Sequence, residues 1–153
     1  MPASNAYSEE KSIELGATIM ATELNQDYPF KGTTILIITH SDLGTVGVLL
    51  GLELTKDMIS NSVTQNCMNS NLHFFLGGLN NVAQPIELSL PEDYLLNPIP
   101  IEIIESTVRL SDISAFCNAN HEASIFFGIE FWSPREIDDE IKAGLWAVTK
   151  YNS

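Results

Sequence analysis
The run Thr33-Thr34-Ile35-Leu36-Ile37-Ile38-Thr39-His40 is β-branched and almost continuously apolar. Such residues are stiff at χ1 and suit a pleated strand, and the lack of polar alternation marks a strand covered on both faces. A chain built round it needs a layer on each side of its central strand. Ser41-Asp42-Leu43-Gly44-Thr45 supplies turn chemistry directly after it, and Val46-Gly47-Val48-Leu49-Leu50 resumes the strand composition, which predicts an antiparallel hairpin. Gly47 and Gly51 lie in or beside the returning strand, where a missing side chain signals a bulge or a close neighbour. The 153 residues (16.9 kDa), 44% of them apolar, suffice for one core and hardly for two. The expectation is a flexible tail over residues 1–12 and a single domain over 13–153.

Before the hairpin, Leu15 to Thr22 reads as a strand, ended by the turn-rich Asn25-Gln26-Asp27-Tyr28-Pro29. After it, Thr55 is placed to cap a helix over Lys56 to about Cys67, with Ile59, Val63 and Cys67 on one stripe. Leu72-His73-Phe74-Phe75-Leu76 is a short strand broken at Gly77-Gly78, and Ile86-Glu87-Leu88-Ser89-Leu90 alternates as a half-exposed strand does. Pro91 to Pro100 holds three prolines and reads as a loop, Ile101 to Leu110 as a strand, and Ser111 as the cap of a short helix carrying Ile113, Phe116 and Cys117.

Ala123 to Ile129 is a buried strand by composition and leads into Trp132-Ser133-Pro134-Arg135-Glu136-Ile137. Ser133 and Glu136 have the spacing of a capping box, Pro134 suits the first helical position, and Trp132 with Ile137 can staple the entry. Gly144 suits the left-handed position after the helix, and Leu145 to Thr149 returns as a last strand.

Twenty acidic residues against seven basic ones leave a net charge of −13, and from Asp57 to Val108 there is no Lys or Arg. A phosphate-tracking surface cannot come from that third of the chain, so direct nucleic-acid binding is disfavoured. The longest apolar runs fall short of a membrane-spanning helix and the N-terminus lacks a secretory pattern, so a cytoplasmic protein with no membrane partner is expected. Cys67 and Cys117 read as small buried apolar residues. His121-Glu122-Ala123-Ser124-Ile125 lacks the second histidine of a zinc helix, and the intervals of Gly44, Gly47 and Gly51 match no phosphate loop. No metal and no cofactor is expected. His40-Ser41-Asp42 places an imidazole, a hydroxyl and a carboxylate at a turn, where a proton shuttle would need a further partner from elsewhere in the fold. The reading in which Ser41 and Asp42 bond to the turn backbone needs none.

Phe30 to His40, continuing through Gly44-Thr45-Val46-Gly47-Val48-Leu49-Leu50, resembles the F-x-x-T-V-x-L-L-x-x-H … G-x-x-G-L-x-x-N opening of the AlgH/YqgE family. Phe75-Leu76-Gly77-Gly78 is similar to its Y-x-G-G-P-V. Phe127-Gly128-Ile129-Glu130-Phe131-Trp132-Ser133-Pro134, running on to Ile141, resembles its G-Y-A-G-W-G-P-G-Q-L-E-x-E-I. Trp146 stands where the family has the Trp of G-A-W-L. Leu79 replaces the proline after the glycine pair, Gly51 an asparagine and Glu136 a glutamine, which suggests a divergent member, shortened at its C-terminus.

The resemblance implies an α/β fold of the α+β type, a single domain with a mixed, partly barrel-like sheet and helices outside it. It brings a transcriptional-regulator label without a settled activity, and points to His40, Gly47, Gly77, Gly78, Gly128 and Trp132 as binding positions. The expectation is a regulatory or interaction protein without enzymatic activity that binds another protein or a small ligand. The alternatives are a DNA-associated regulator and a small hydrolase using His40.

Overall fold
A computed structural model describes residues 13–55, 72–89, 104–107 and 123–150. Eight strands and one helix are present among them: β1 (Thr18–Ala21), β2 (Ile35–Ser41), β3 (Gly44–Leu49), β4 (Leu72–Leu76), β5 (Asn80–Ser89), β6 (Ile104–Thr107), β7 (Ala123–Trp132), α1 (Glu136–Lys142) and β8 (Trp146–Lys150). The predicted hairpin is β2–β3, paired antiparallel from Ile35↔Leu49 to Ser41↔Gly44 around a turn at Asp42 and Leu43. The strands run closer to the turn than their composition shows, because Leu43 N–H bonds to the Ser41 hydroxyl and lets the ladder continue to Ser41.

The central strand is covered on both faces. Ile35 and Ile37 pack with Ile13, Ile19, Leu49, Trp132, Ile137 and Trp146, whereas Leu36 and Ile38 pack with Val48, Leu50, Ile86, Leu88 and Phe126. Each buried aliphatic side chain contributes roughly 1.5–3 kcal/mol of transfer free energy, so these two layers supply the main driving force for folding.

The strands lie in the order β6-β5-β7-β3-β2-β1-β8, with β4 also on β7. The sheet is mixed, since β4 runs parallel to β7 while the other pairs are antiparallel. The sheet is open and not a closed barrel: the path ends at β6 and β8, which do not pair with each other. One helix is present among the described residues.

β7 joins the two halves of this sheet. Its Glu130–Trp132 end pairs with β3, its Ala123–Phe127 end with β4, and β5 pairs along Ser124–Phe127 as well. Because β4 and β5 flank the same residues of β7, they lie on opposite edges, and the chain between Leu76 and Asn80 must cross over β7. Gly77 and Gly78 make the crossing. A Cβ on Gly77 would strike the Gly128 carbonyl, one on Gly78 the Ile129 carbonyl group, and one on Gly128 the Gly78 carbonyl. Gly77 also ties both neighbours together, donating its N–H to Phe127 and accepting from Leu49 N–H, each at 2.8 Å.

Other boundaries moved for local reasons. β1 begins at Thr18 because Leu15 and Gly16 form a turn, with Gly16 at φ +90°. β5 starts well before Ile86, and its register jumps between Asn80↔Ile129 and Pro85↔Phe127, so the proline sits beside an irregularity in the ladder, where it is tolerated. β7 runs on to Trp132.

α1 begins at Glu136, later than the capping box places it, with Arg135 as N-cap. The Glu136 carboxylate does reach back to the Ser133 N–H at 2.8 Å, but the Ser133 hydroxyl donates to that same carboxylate instead of accepting from the helix. The other predicted features are present. Trp132 and Ile137 share one core cluster, and the helix ends with Gly144 at φ +83°, its N–H on the Ile141 carbonyl and Leu145 N–H on that of Glu140. The expected tail over residues 1–12, the helix over Lys56–Cys67, the loop over 91–100, the helix after Ser111, and Cys67, Cys117 and His121 lie outside the described residues.

Candidate functional site
Directly opposed residues in an antiparallel ladder share a face. His40 opposes Thr45, which opposes Trp132, so the imidazole, a hydroxyl and the indole form one cross-strand row on the face that α1 covers. Thr45 is 1% exposed, and its hydroxyl lies 2.6 Å from His40 Nδ1, which fixes the orientation of the ring. Trp132 is buried, edge-on to Trp146 with centroids 5.5 Å apart. A Cβ on Gly47, in the next row, would lie 2.6 Å from Ile35 Cγ2 and 3.3 Å from Trp132 Cζ3; this glycine makes room for two core side chains.

A cleft of about 480 Å³ opens beside that row, between the β2–β3 turn and the loop from β7 into α1. His40, Ser41 and Asp42 form one wall; Pro134, Arg135 and Asp138 form the other. Arg135 is held there in a left-handed conformation, φ +69°, which costs a non-glycine residue about 1–2 kcal/mol. Among the described residues no ion pair or hydrogen bond engages the side chains of Asp42, Arg135 or Asp138. Two carboxylates and a guanidinium thus line one cleft without neutralising one another. No three His, Cys, Asp or Glu side chains come together for a metal ion among the described residues.

The six positions singled out in the sequence divide by location. His40 lines the cleft and Trp132 lies in the row beneath it, with Gly47 under the indole. Gly77, Gly78 and Gly128 are brought together elsewhere, at the β7 crossing. Arg135 and Asp138 are not among those six positions, and only the tertiary arrangement sets them opposite His40.

A second polar group went unnoticed in the sequence. Glu130 is 7% exposed and accepts from Leu79 N–H at 2.7 Å, immediately past the crossing. The Tyr28 hydroxyl is buried near this carboxylate without meeting hydrogen-bond geometry to any described partner. Burial, followed by the charge of Glu130 and the hydroxyl's hydrogen-bonding contact with that carboxylate, longer or less aligned than a well-formed bond, pushes ionisation of that phenol above the ordinary tyrosine range. Tyr28 also stands edge-on to Trp146, centroids 5.0 Å apart.

The AlgH-like family profile matches residues 18–153, which is most of the chain and includes every element described above. The chain belongs to the AlgH-like family. Its structural neighbours agree. The solution structure of the AlgH protein from Pseudomonas aeruginosa superposes with a TM-score of 0.61 at 16% identity, over 93% of this AlgH-like chain and 80% of that one. A crystal structure of a Corynebacterium diphtheriae protein gives 0.58 at 21% identity, over 94% and 80%. At such identities the likeness shows the AlgH-like fold alone. No curated protein matches. No helix among the described residues is long and apolar enough to cross a membrane.

Proposed function
We propose that this AlgH-like chain is a regulatory protein without enzymatic activity that acts by binding another molecule at the cleft between the β2–β3 turn and the entry to α1. The observation that carries this reading is the unmatched charge of the cleft, where Asp42, Arg135 and Asp138 stand without partners among the described residues. Charged side chains kept unpaired on two facing walls gain little for folding and are available to a ligand. The backbone strain at Arg135 points the same way, because such strain gathers at binding and switch sites. A hydrolase would orient its histidine with a carboxylate, whereas His40 Nδ1 is held by the Thr45 hydroxyl. The −13 charge favours a basic partner over nucleic acid.

The test is affinity capture from a lysate of the source cells with the full chain and with its Arg135→Ala and Asp42→Asn variants. Proteins retained by the parent chain and lost from both variants are the expected result. An identical retained set from all three chains would end the reading.

A further inference from the structure
The chemistry of the cleft specifies its occupant more narrowly, if the proposed binding role is accepted. The lining offers hydrogen-bond acceptors and donors in separate places. Asp42, from the β2–β3 turn, and Asp138, from α1, bring carboxylates from opposite walls. The Arg135 guanidinium and the Ser41 hydroxyl are donors. His40 lines the cleft with one ring nitrogen engaged by the Thr45 hydroxyl.

Asp42 and Asp138 come from different elements, and no salt bridge joins Arg135 to either. A small anion could use Arg135 and His40, but it would meet two carboxylates and a molecule carrying −13. A simple cation would leave the guanidinium unused. One ligand class answers every group at once: a peptide segment that presents a lysine or arginine side chain. Its cation would sit between the Asp42 and Asp138 carboxylates, while its backbone carbonyls accept from Arg135. A volume of about 480 Å³ lies within the range of sites that hold a few residues or a small ligand.

The geometry points to this cleft as a receptor for a basic segment of a partner protein. The bound side chain is a lysine or arginine held by Asp42 and Asp138, and Arg135 is the group that fixes the segment's backbone.

The test uses the full chain, labelled with ¹⁵N, titrated with the capped peptides acetyl-Gly-Lys-Gly-amide and acetyl-Gly-Glu-Gly-amide at about 0.15 M salt. Saturable shifts of the Ser41, Asp42, Arg135 and Asp138 amides are expected with the lysine peptide and not with the glutamate peptide. The Asp42→Asn/Asp138→Asn double variant should weaken the lysine peptide roughly fivefold, the loss of two solvent-accessible ion pairs. Arg135→Ala should weaken it while preserving the preference for lysine over glutamate. A Glu23→Gln/Asp27→Asn control, which removes the same charge from exposed residues outside the cleft, should bind as the parent does.

Equal response to both peptides, shifts spread over the acidic surface, or equal weakening by the control would overturn the inference. Cleft shifts with the glutamate peptide alone would overturn it too, while leaving the cleft as a binding site. Silence with both peptides would overturn the basic-segment specificity, and the binding role itself would still stand or fall on the capture experiment.

Discussion
At the level of single residues, the glycines at the β7 crossing and the partly buried Tyr28 make different predictions. Gly78→Ala drives a methyl group into the Ile129 carbonyl, and backbone on both sides leaves nothing flexible to yield. We expect a loss of roughly 3 kcal/mol or more, or failure to fold, read from the midpoint of urea unfolding. Gly51→Ala is the control: its φ of +86° strains any side chain, but nothing lies within 4 Å of the added carbon, so the cost is about 1 kcal/mol. Tyr28→Phe removes a buried hydroxyl that lies against the Glu130 carboxylate without a well-formed hydrogen bond. The gain from removing a poorly satisfied hydroxyl and the loss of its contact with Glu130 offset each other, so stability should stay within about 1 kcal/mol of the parent, where most core substitutions lower it by more. The pH dependence follows from linkage. The folded phenol ionises above the unfolded one, so its contribution is complete below about pH 10, the unfolded tyrosine value, and is lost as pH rises from there toward the folded one. Parent and variant should therefore diverge in alkaline urea titrations, the parent falling more steeply; parallel curves would refute the account.

For the elements, the decisive local unit is the passage from β7 into α1. Glu136 holds the Ser133 N–H and hydroxyl, and Arg135 is left as a strained, uncapped N-cap. Glu136→Ala should cost about 1 kcal/mol and raise amide exchange in the first turn of α1. Gly144→Ala meets both φ +83° and a Leu24 Cδ1 atom 3.1 Å from the new carbon, so a loss of about 1–2 kcal/mol is expected in the same measurement. If exchange in α1 is unmoved by either change, the helix is held by Ile137 and its core contacts alone. The start of this helix was only half legible. The box spacing of Ser133 and Glu136 announces a helix, yet the same two side chains bind each other and set its first turn at Glu136. Which partner a serine hydroxyl chooses depends on the backbone path out of Trp132, whose indole is held in the core edge-on to Trp146.

For the whole molecule, a charge of −13 makes two statements that need no site. Duplex DNA should give no change in fluorescence anisotropy at about 0.15 M salt, because each phosphate track needs clustered cations. A salt-dependent rise would restore the nucleic-acid reading. Association with a basic partner should slow steeply as salt rises above the physiological range, since steering acts over a Debye length of about 8 Å there.

Much of this architecture could be read from residue chemistry. The central strand covered on both faces follows from Thr33 to His40, the hairpin from its turn residues, and the end of α1 from Gly144, because each depends on neighbours in the chain. The open sheet and the chain crossing at Gly77-Gly78 do not follow in that way. Gly77-Gly78 reads as the end of a strand until β4 and β5 are seen to pair with the same residues of β7, and only then is the need for a bare backbone at Gly128 explained. The cleft belongs to the same class. His40 and Arg135 are far apart in the sequence, and the pairing of Thr45 with His40 and Trp132 brings the turn beside the helix entry. What the amino-acid order determined by itself is the chemistry of segments, since propensity, turns and caps are local forces. What the tertiary structure decided is which charged groups face each other unpaired, because that juxtaposition arises from strand pairing across the chain.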